Sequence, residues 1–507
     1  MRKLILALLL LSFVAPEVRA QQEFANLDLP IRRAEDLVSV ADGDGNVCLY
    51  FFQGGKLHFN LVSPSGQVVA AQEIPYRFNQ QPEILGTRVT PNEFVFYSRF
   101  VNGNKEFVRP FAVDRYTGAF RSLPDAPIKK ERQETFIGAF ADAEHFYMLY
   151  SDKKENFILY RELDETYYEK KVFSSAEMPR TRSRHERHNE LIFVHPDLER
   201  TVFAGHHRSK IYTRGDKVFM IFDGFYLRKQ NKKTTTEILT LDWPSGKTSY
   251  QTLPALDYKN ESHFNSFLHQ NTLFRVQLLK DQFNLTAYDF GSLQPIREYN
   301  YTDEQEIDIK ATPVHQRGSA GLFYSGNSVI EKTSKVMRNL SNGRPAITVD
   351  AFSDSTLQLT IGSYQPPSRR DANGDPTRLV RTPDRYVQTS RGLYLMPGRW
   401  VPAYTLPYTY SMFPHNRYYY DPFYTRGGEA IGPGTSTYFR AILDSKTLEN
   451  AATDSTTATV QDKIEAYEEE MKRTPDYKTL YRYGNKLHYG YFDKGSKTFK
   501  ILEFSQN

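Results

Sequence analysis

The sequence predicts an all-β fold made of one small unit used repeatedly, and three observations predict it. Strand-turn-strand segments recur roughly every fifty residues. Each holds an acidic or hydroxyl residue at the same point of its turn. Short β-branched and aromatic runs precede the turns at matching distances.

The recurring segments are FNLVSPSGQVVAAQEI, FAVDRYTGAFRSL, YRELDETYYEKKVF, LTLDWPSGKTSYQTL, TAYDFGSLQPIREY, RAILDSKTLENAA and YGYFDKGSKTFKILEF. Ser63, Asp114, Asp164, Asp242, Asp289, Asp444 and Asp493 occupy the shared point, at spacings of 51, 50, 78, 47, 155 and 49. A short oxygen-bearing side chain can accept hydrogen bonds from backbone two or three residues ahead, which is what a tight turn needs. These aspartates are therefore read as turn residues and not as catalytic acids. The preceding runs, VCLYFFQ, EFVFYSRF, HFYMLYSD, KVFMIFDG and TLFRVQLL, are strands of six to eight residues. About fifty residues accommodate four such strands. A four-stranded sheet cannot bury both faces alone, so the units must pack on one another. Seven units of this kind resemble a seven-bladed β-propeller. The resemblance is to the fold over about residues 30–507, without WD or kelch signatures, and a pair of β-sandwiches is the alternative.

At the N-terminus, MRKLILALLLLSFVAPEVRA has a basic head, an apolar stretch and small residues, Val18 and Ala20, before Gln21. This is the pattern of a secretion signal, too short in its apolar part to span a bilayer. We expect residues 1–20 to be removed and 21–507 to form a single domain that is secreted, periplasmic or on the cell surface, with no transmembrane helix left. The remaining chain carries 62 basic and 59 acidic residues, a net charge of +3 that gives no reason to expect a nucleic-acid partner. The single cysteine, Cys48, rules out an internal disulfide framework and lies in an apolar run as a buried thiol would.

Two long spacings mark insertions, about 174–200 and about 364–435. The first is polar and basic. Between them SVIEKTSKVMRNLSNG predicts a helix with Val329, Ile330, Val336, Met337 and Leu340 on one face. PAITVDAF and STLQLTIGSY then predict a strand pair, so the second insertion lies inside the sixth unit. A further helix is expected over about 458–472, with Val460, Ile464, Tyr467 and Met471 on its apolar face.

The second insertion ends in WVPAYTLPYTYSMFPHNRYYYDPFY, seven Tyr and four Pro in 25 residues, with no regular helix or strand pattern. Trp400, Tyr404, Tyr408, Tyr410, Phe413, Tyr418, Tyr419, Tyr420, Phe423 and Tyr424 are the candidate binding residues. Tyr and Trp offer large contact area with a polar tip, and Pro lowers the cost of ordering extended chain. A lid over the fold, a recognition surface and an unstructured segment all fit the composition.

Of twelve histidines, His185, His188, His195, His206 and His207 fall within 23 residues and are the candidate metal ligands. His206 and His207 are adjacent beside a strand, so one of the two is expected to face solvent or a channel. Asp42-Gly-Asp44-Gly-Asn46 starts like a calcium loop but lacks the sixth-position Gly and the twelfth-position Glu, and reads as a hairpin turn. Asp371-Ala-Asn373-Gly-Asp375 is a similar near match. Nucleophile-elbow, phosphate-loop and dinucleotide motifs are absent. These observations favour a non-catalytic binding or scaffold protein that meets a protein or glycan of the cell envelope, with no cofactor. The alternative is an envelope enzyme acting on carbohydrate or peptide.

Overall fold

The computed structural model describes residues 21–31, 37–53, 56–75, 83–102, 105–182, 186–189, 191–194, 202–229, 232–254, 263–317, 328–330, 333–365, 379–381, 385–389, 392–396, 400–402, 435–451, 463–464, 466–467, 470–471, 476–484 and 486–505. Among these the chain is all-β, with seven sheets of four or five strands and two isolated strand pairs.

The first sheet runs Leu37–Ala41, Val47–Gln53, Lys56–Val62, Val68–Pro75. The second is built on Glu83–Val89, Glu93–Asn102 and Lys105–Asp114. The third holds Thr135–Ala141, Phe146–Ser151, Phe157–Asp164 and Tyr167–Phe173. In the fourth, Ser209–Arg214, Lys217–Asp223, Thr236–Asp242 and Lys247–Thr252 are antiparallel, and Leu191–Phe193 adds in parallel to Ser209–Arg214. Phe264–His269, Thr272–Leu278, Gln282–Asp289 and Pro295–Thr302 make the fifth sheet. The sixth joins Arg344–Ala351, Thr356–Gln365 and Thr435–Asp444 to Val314–Arg317 and Ser328–Ile330. The seventh is completed from both ends of the chain: Gln21–Leu27 pairs with Thr498–Ser505, beside Lys486–Asp493 and Asp476–Tyr483.

Middle strands are apolar throughout instead of alternating, because the second to fifth sheets and the first have apolar layers on both faces. Every residue of Phe146–Ser151 is buried. One apolar layer joins the first and second sheets through Tyr50, Phe59, Phe96 and Phe111. Others join the second to the third, the third to the fourth, the fourth through the sixth, and the seventh to the first. The last strand of several units is the exposed edge, where Val68, Val69, Val172 and Ile296 lie open. Cys48 is fully buried in the layer between the first two sheets, and burial pushes its thiol well above the usual range.

The turn aspartates do what the spacing required. Asp114 Oδ1 accepts the amides of Tyr116 and Thr117. Asp164 accepts from Thr166, Asp242 from Ser245, Asp289 from Ser292, Asp444 from Lys446 and Thr447, and Asp493 from Gly495. Asp42 also makes a turn: its Oδ1 accepts the amides of Asp44 and Asn46.

Two expectations change. The helix foreseen over 328–343 spans only Thr333–Ser341. Ser328–Ile330 is a strand paired with Val314–Gln316, since two β-branched residues beside an open edge favour a ladder over a helical turn. Val336, Met337 and Leu340 are buried as foreseen. The stretch beginning at Trp400 is not wholly irregular, since Trp400–Pro402 pairs with Leu379–Arg381; earlier in the same insertion Arg385–Thr389 pairs with Gly392–Met396. In the later helical region Lys463, Ile464, Ala466, Tyr467 and Glu470 are helical. Ile464 is buried, with Tyr467 and Met471 packed beside it, against the seventh sheet.

Candidate functional site

The roots of the long insertion are fixed. Thr356–Gln365 and Thr435–Asp444 are antiparallel neighbours, in register as far as Gln365 opposite Thr435. Everything between leaves and re-enters at one end of the sixth sheet. Of the aromatic candidates, Trp400 lies in the short strand already described. Tyr404, Tyr408, Tyr410, Phe413, Tyr418, Tyr419, Tyr420, Phe423 and Tyr424 lie outside the described residues, as does Asp371–Asp375.

The first insertion forms a cavity. Its volume is about 170 Å³, and it opens between residues 154–157 of the third sheet and residues 175–181 and 186–188. Phe157 and Met178 are buried at its floor, with His188, Arg187 and Thr181, while Lys154 and Arg180 are exposed at its mouth. A short helical turn, Glu186–Asn189, carries two of these buried polar side chains, Arg187 and His188. Arg187 points into the fourth sheet. Its Nε donates to Glu237 Oε2 at 3.1 Å, and one terminal nitrogen donates to both oxygens of Glu237 at 2.7 and 2.8 Å. The other terminal nitrogen donates to Pro179 O at 2.9 Å. Tyr250 donates to the same carboxylate at 2.8 Å. Both ions are desolvated and matched in a planar, forked geometry, so the pair pins the insertion to the sheet. The His188 ring lies 4.7 Å from that of Phe157. Glu186 faces Arg208 at 3.7 Å.

The remaining part of this insertion crosses to another sheet. Residues Val202–Gly205 form a helical turn, and Val202 shares an apolar cluster with Ala346, Tyr364 and Tyr438 of the sixth sheet. A Cβ on Gly205 would come within 2.9 Å of Ile347 O, so only glycine permits this approach. The expectation that one of His206 and His207 faces solvent or a channel is therefore corrected. Both are buried, because the segment lies against the sixth sheet before it enters the fourth. Their rings are 4.4 Å apart, and that of His206 is 4.6 Å from Tyr364. Lys210, also buried, donates to His207 O at 2.5 Å and to Asn265 Oδ1 at 2.6 Å. His188 thus sits against the third sheet and His206 against the sixth. His185 and His195 lie outside the described residues. Among the described residues no three His, Cys, Asp or Glu side chains come together as metal ligands, and no helix is long and apolar enough to cross a membrane.

The reading from sequence missed Lys154, Glu155, Arg180, Arg187 and Glu237. One signal was available. Asp152-Lys-Lys-Glu155-Asn156 has the outline of Asp42-Gly-Asp-Gly45-Asn46, with a charged residue where the other has glycine.

No family model matches the chain, and no curated protein matches it. Solved structures with partial likeness include apo AztD from Citrobacter koseri, with 11% identity and a TM-score of 0.28 over 52% of this chain and 58% of that one. The WD40 domain of SCAP from fission yeast has 8% identity and a TM-score of 0.29 over 65% of this chain and 83% of that domain. The uncharacterized protein lmo1340 from Listeria monocytogenes has 12% identity and a TM-score of 0.30 over 56% and 69%. The chain spans less than two thirds of the length of AztD.

Proposed function

We propose that the protein is an exported, non-catalytic binding or scaffold protein of the cell envelope, built as a closed seven-bladed β-propeller. It engages a protein or glycan partner through one propeller face and the aromatic segment 400–424. The observation that carries this reading is the pairing of Gln365 with Thr435. It gathers a tyrosine- and proline-rich excursion of about seventy residues at a single sheet end, and an insertion of that length is more often functional than structural. The leader-like residues 1–20 support export, and the N-terminal strand in the seventh sheet supports ring closure.

Replacing residues 366–432 by a short hairpin turn tests the proposal, since the ends are already adjacent. The expected result is an unchanged unfolding midpoint together with loss of the partners that the intact protein captures from an envelope fraction. A large drop in stability would show the segment to be core, and unchanged capture would remove it from the interface.

A further inference from the structure

Asp42–Asn46 and Asp152–Asn156 build the same turn twice. In each, Oδ1 of the first Asp accepts the amides of the third and fifth residues, and its Oδ2 accepts the Nδ2 of the closing Asn. In each, the fourth residue is left-handed, with φ of +87° at Gly45 and +69° at Glu155. Glycine adopts that conformation freely, whereas glutamate is strained there by about 1 kcal/mol. No hydrogen bond or ion pair of the Glu155 carboxylate to a described residue offsets the strain, and the side chain lines the cavity. Lys154 and Arg180 also line it without an ion pair among the described residues. Arg187, by contrast, is committed to Glu237.

We propose that this cavity binds a small zwitterion, an α-amino acid with an apolar side chain. Lys154 and Arg180 hold the carboxylate, Glu155 holds the ammonium group, and the side chain lies over Phe157 and Met178. A cavity of about 170 Å³ has room for several waters, which a small ligand of this kind can displace. Two cations and one acid, unpaired among the described residues, above an apolar floor match both charges of the ligand and its body. A simple carboxylate would leave Glu155 unanswered, and a simple amine would leave the two cations so.

Calorimetric titration of the full chain tests this with L-leucine and L-methionine as probes. Isocaproate and isopentylamine, each lacking one charge, serve as comparisons. The amino acids are expected to bind, and each single-charge probe at least about tenfold more weakly, the worth of one ion pair of about 1.4 kcal/mol. Glu155→Gln should weaken leucine by about tenfold and bring it level with isocaproate, while Lys154→Gln brings leucine nearer to isopentylamine. Thermal unfolding of both variants should match the parent, since neither side chain is hydrogen-bonded or ion-paired to a described residue. Absence of binding by both amino acids, equal binding of leucine and isocaproate to the parent, or leucine binding unchanged by both substitutions would overturn the proposal.

Discussion

Glu155 and Gly45 occupy equivalent positions and answer different demands. At Gly45 a Cβ would come within 2.5 Å of the Tyr483 ring, so space as well as backbone requires glycine. At Glu155 backbone alone disfavours the side chain. Glu155→Gly should relieve about 1 kcal/mol or more of left-handed strain and lose part of it to a more flexible unfolded chain, for a net gain of about 0.5 kcal/mol. A denaturant midpoint shifted upward at unchanged slope checks this, and a fall would mean that the carboxylate has a stabilising partner. A second single-residue effect concerns His488. Its ring stacks on Tyr481 at 4.8 Å and meets Phe24 edge-on at 4.7 Å, and its Nε2 faces Glu503 Oε2 at 3.5 Å, too long and poorly aligned for a strong hydrogen bond. Burial lowers its pKa to about 4. The unfolded chain takes up this proton near pH 6.5, so between pH 6.5 and 4 the unfolded state binds more protons and stability falls as pH falls. The full effect is about 3 kcal/mol. His488→Phe keeps the stacking and should flatten stability across that window; a persisting slope would assign it elsewhere. Below it the turn aspartates act. Backbone hydrogen bonds hold Asp114, Asp164, Asp242, Asp289 and Asp444 below the usual carboxylate range. The Lys500 hydrogen bond is the main cause of lowering Asp493 to about 2. Their contribution is present above about pH 4 and is lost as pH falls through the folded values.

Among elements, the insertion 174–200 is held by an anchor that composition hides. Its sequence is polar and basic, yet Arg187 is buried on Glu237, fifty residues away in the next sheet. A pair so distant in sequence leaves no local pattern, whereas the turn aspartates act within three residues and were legible for that reason. The strand runs were equally plain, since burial on both faces makes them continuously apolar. Ser328–Ile330 was misread because three β-branched or small residues before a helix have no periodicity of their own, and their partner strand supplies the deciding bonds. Glu237→Gln removes the charge opposite a desolvated guanidinium, and breaking a buried pair in this way costs about 3–5 kcal/mol. A reduced unfolding midpoint, with faster proteolysis within 175–194 under native conditions, is the expected outcome. A loss below about 1 kcal/mol would show that Arg187 finds water or another acceptor.

At the scale of the whole molecule, the seventh sheet needs both chain ends. Asp493 and the run YGYFDKGSKTFKILEF announced two of its strands, but nothing in QQEFANL says that its partner is nearly 480 residues away. That strand, with the residues after it, buries Ala25, Leu27, Leu29 and Ile31 in the layer between the seventh and first sheets. The three larger side chains alone contribute roughly 1.5–3 kcal/mol each. Their sum is comparable with the 5–15 kcal/mol that holds a typical domain together. Deleting residues 21–31 should therefore abolish cooperative unfolding, not merely lower its midpoint. A circular permutant separates the loss of contacts from the loss of a chain end. Joining Ser505 to Gln21 through a flexible linker and opening the chain at Gly215 keeps every contact of the strand, for Gly215 lies in an exposed turn where a Cβ would meet nothing within 4 Å. Cys48 reports the result, since its thiol is fully buried one layer away, in the first sheet. A thiol reagent should label it slowly in the parent and the permutant, and at once in the deletion variant. Slow labelling and a single sharp transition in the deletion variant would show that the first sheet holds without the N-terminal strand, and that the seventh sheet stands on its C-terminal strands alone.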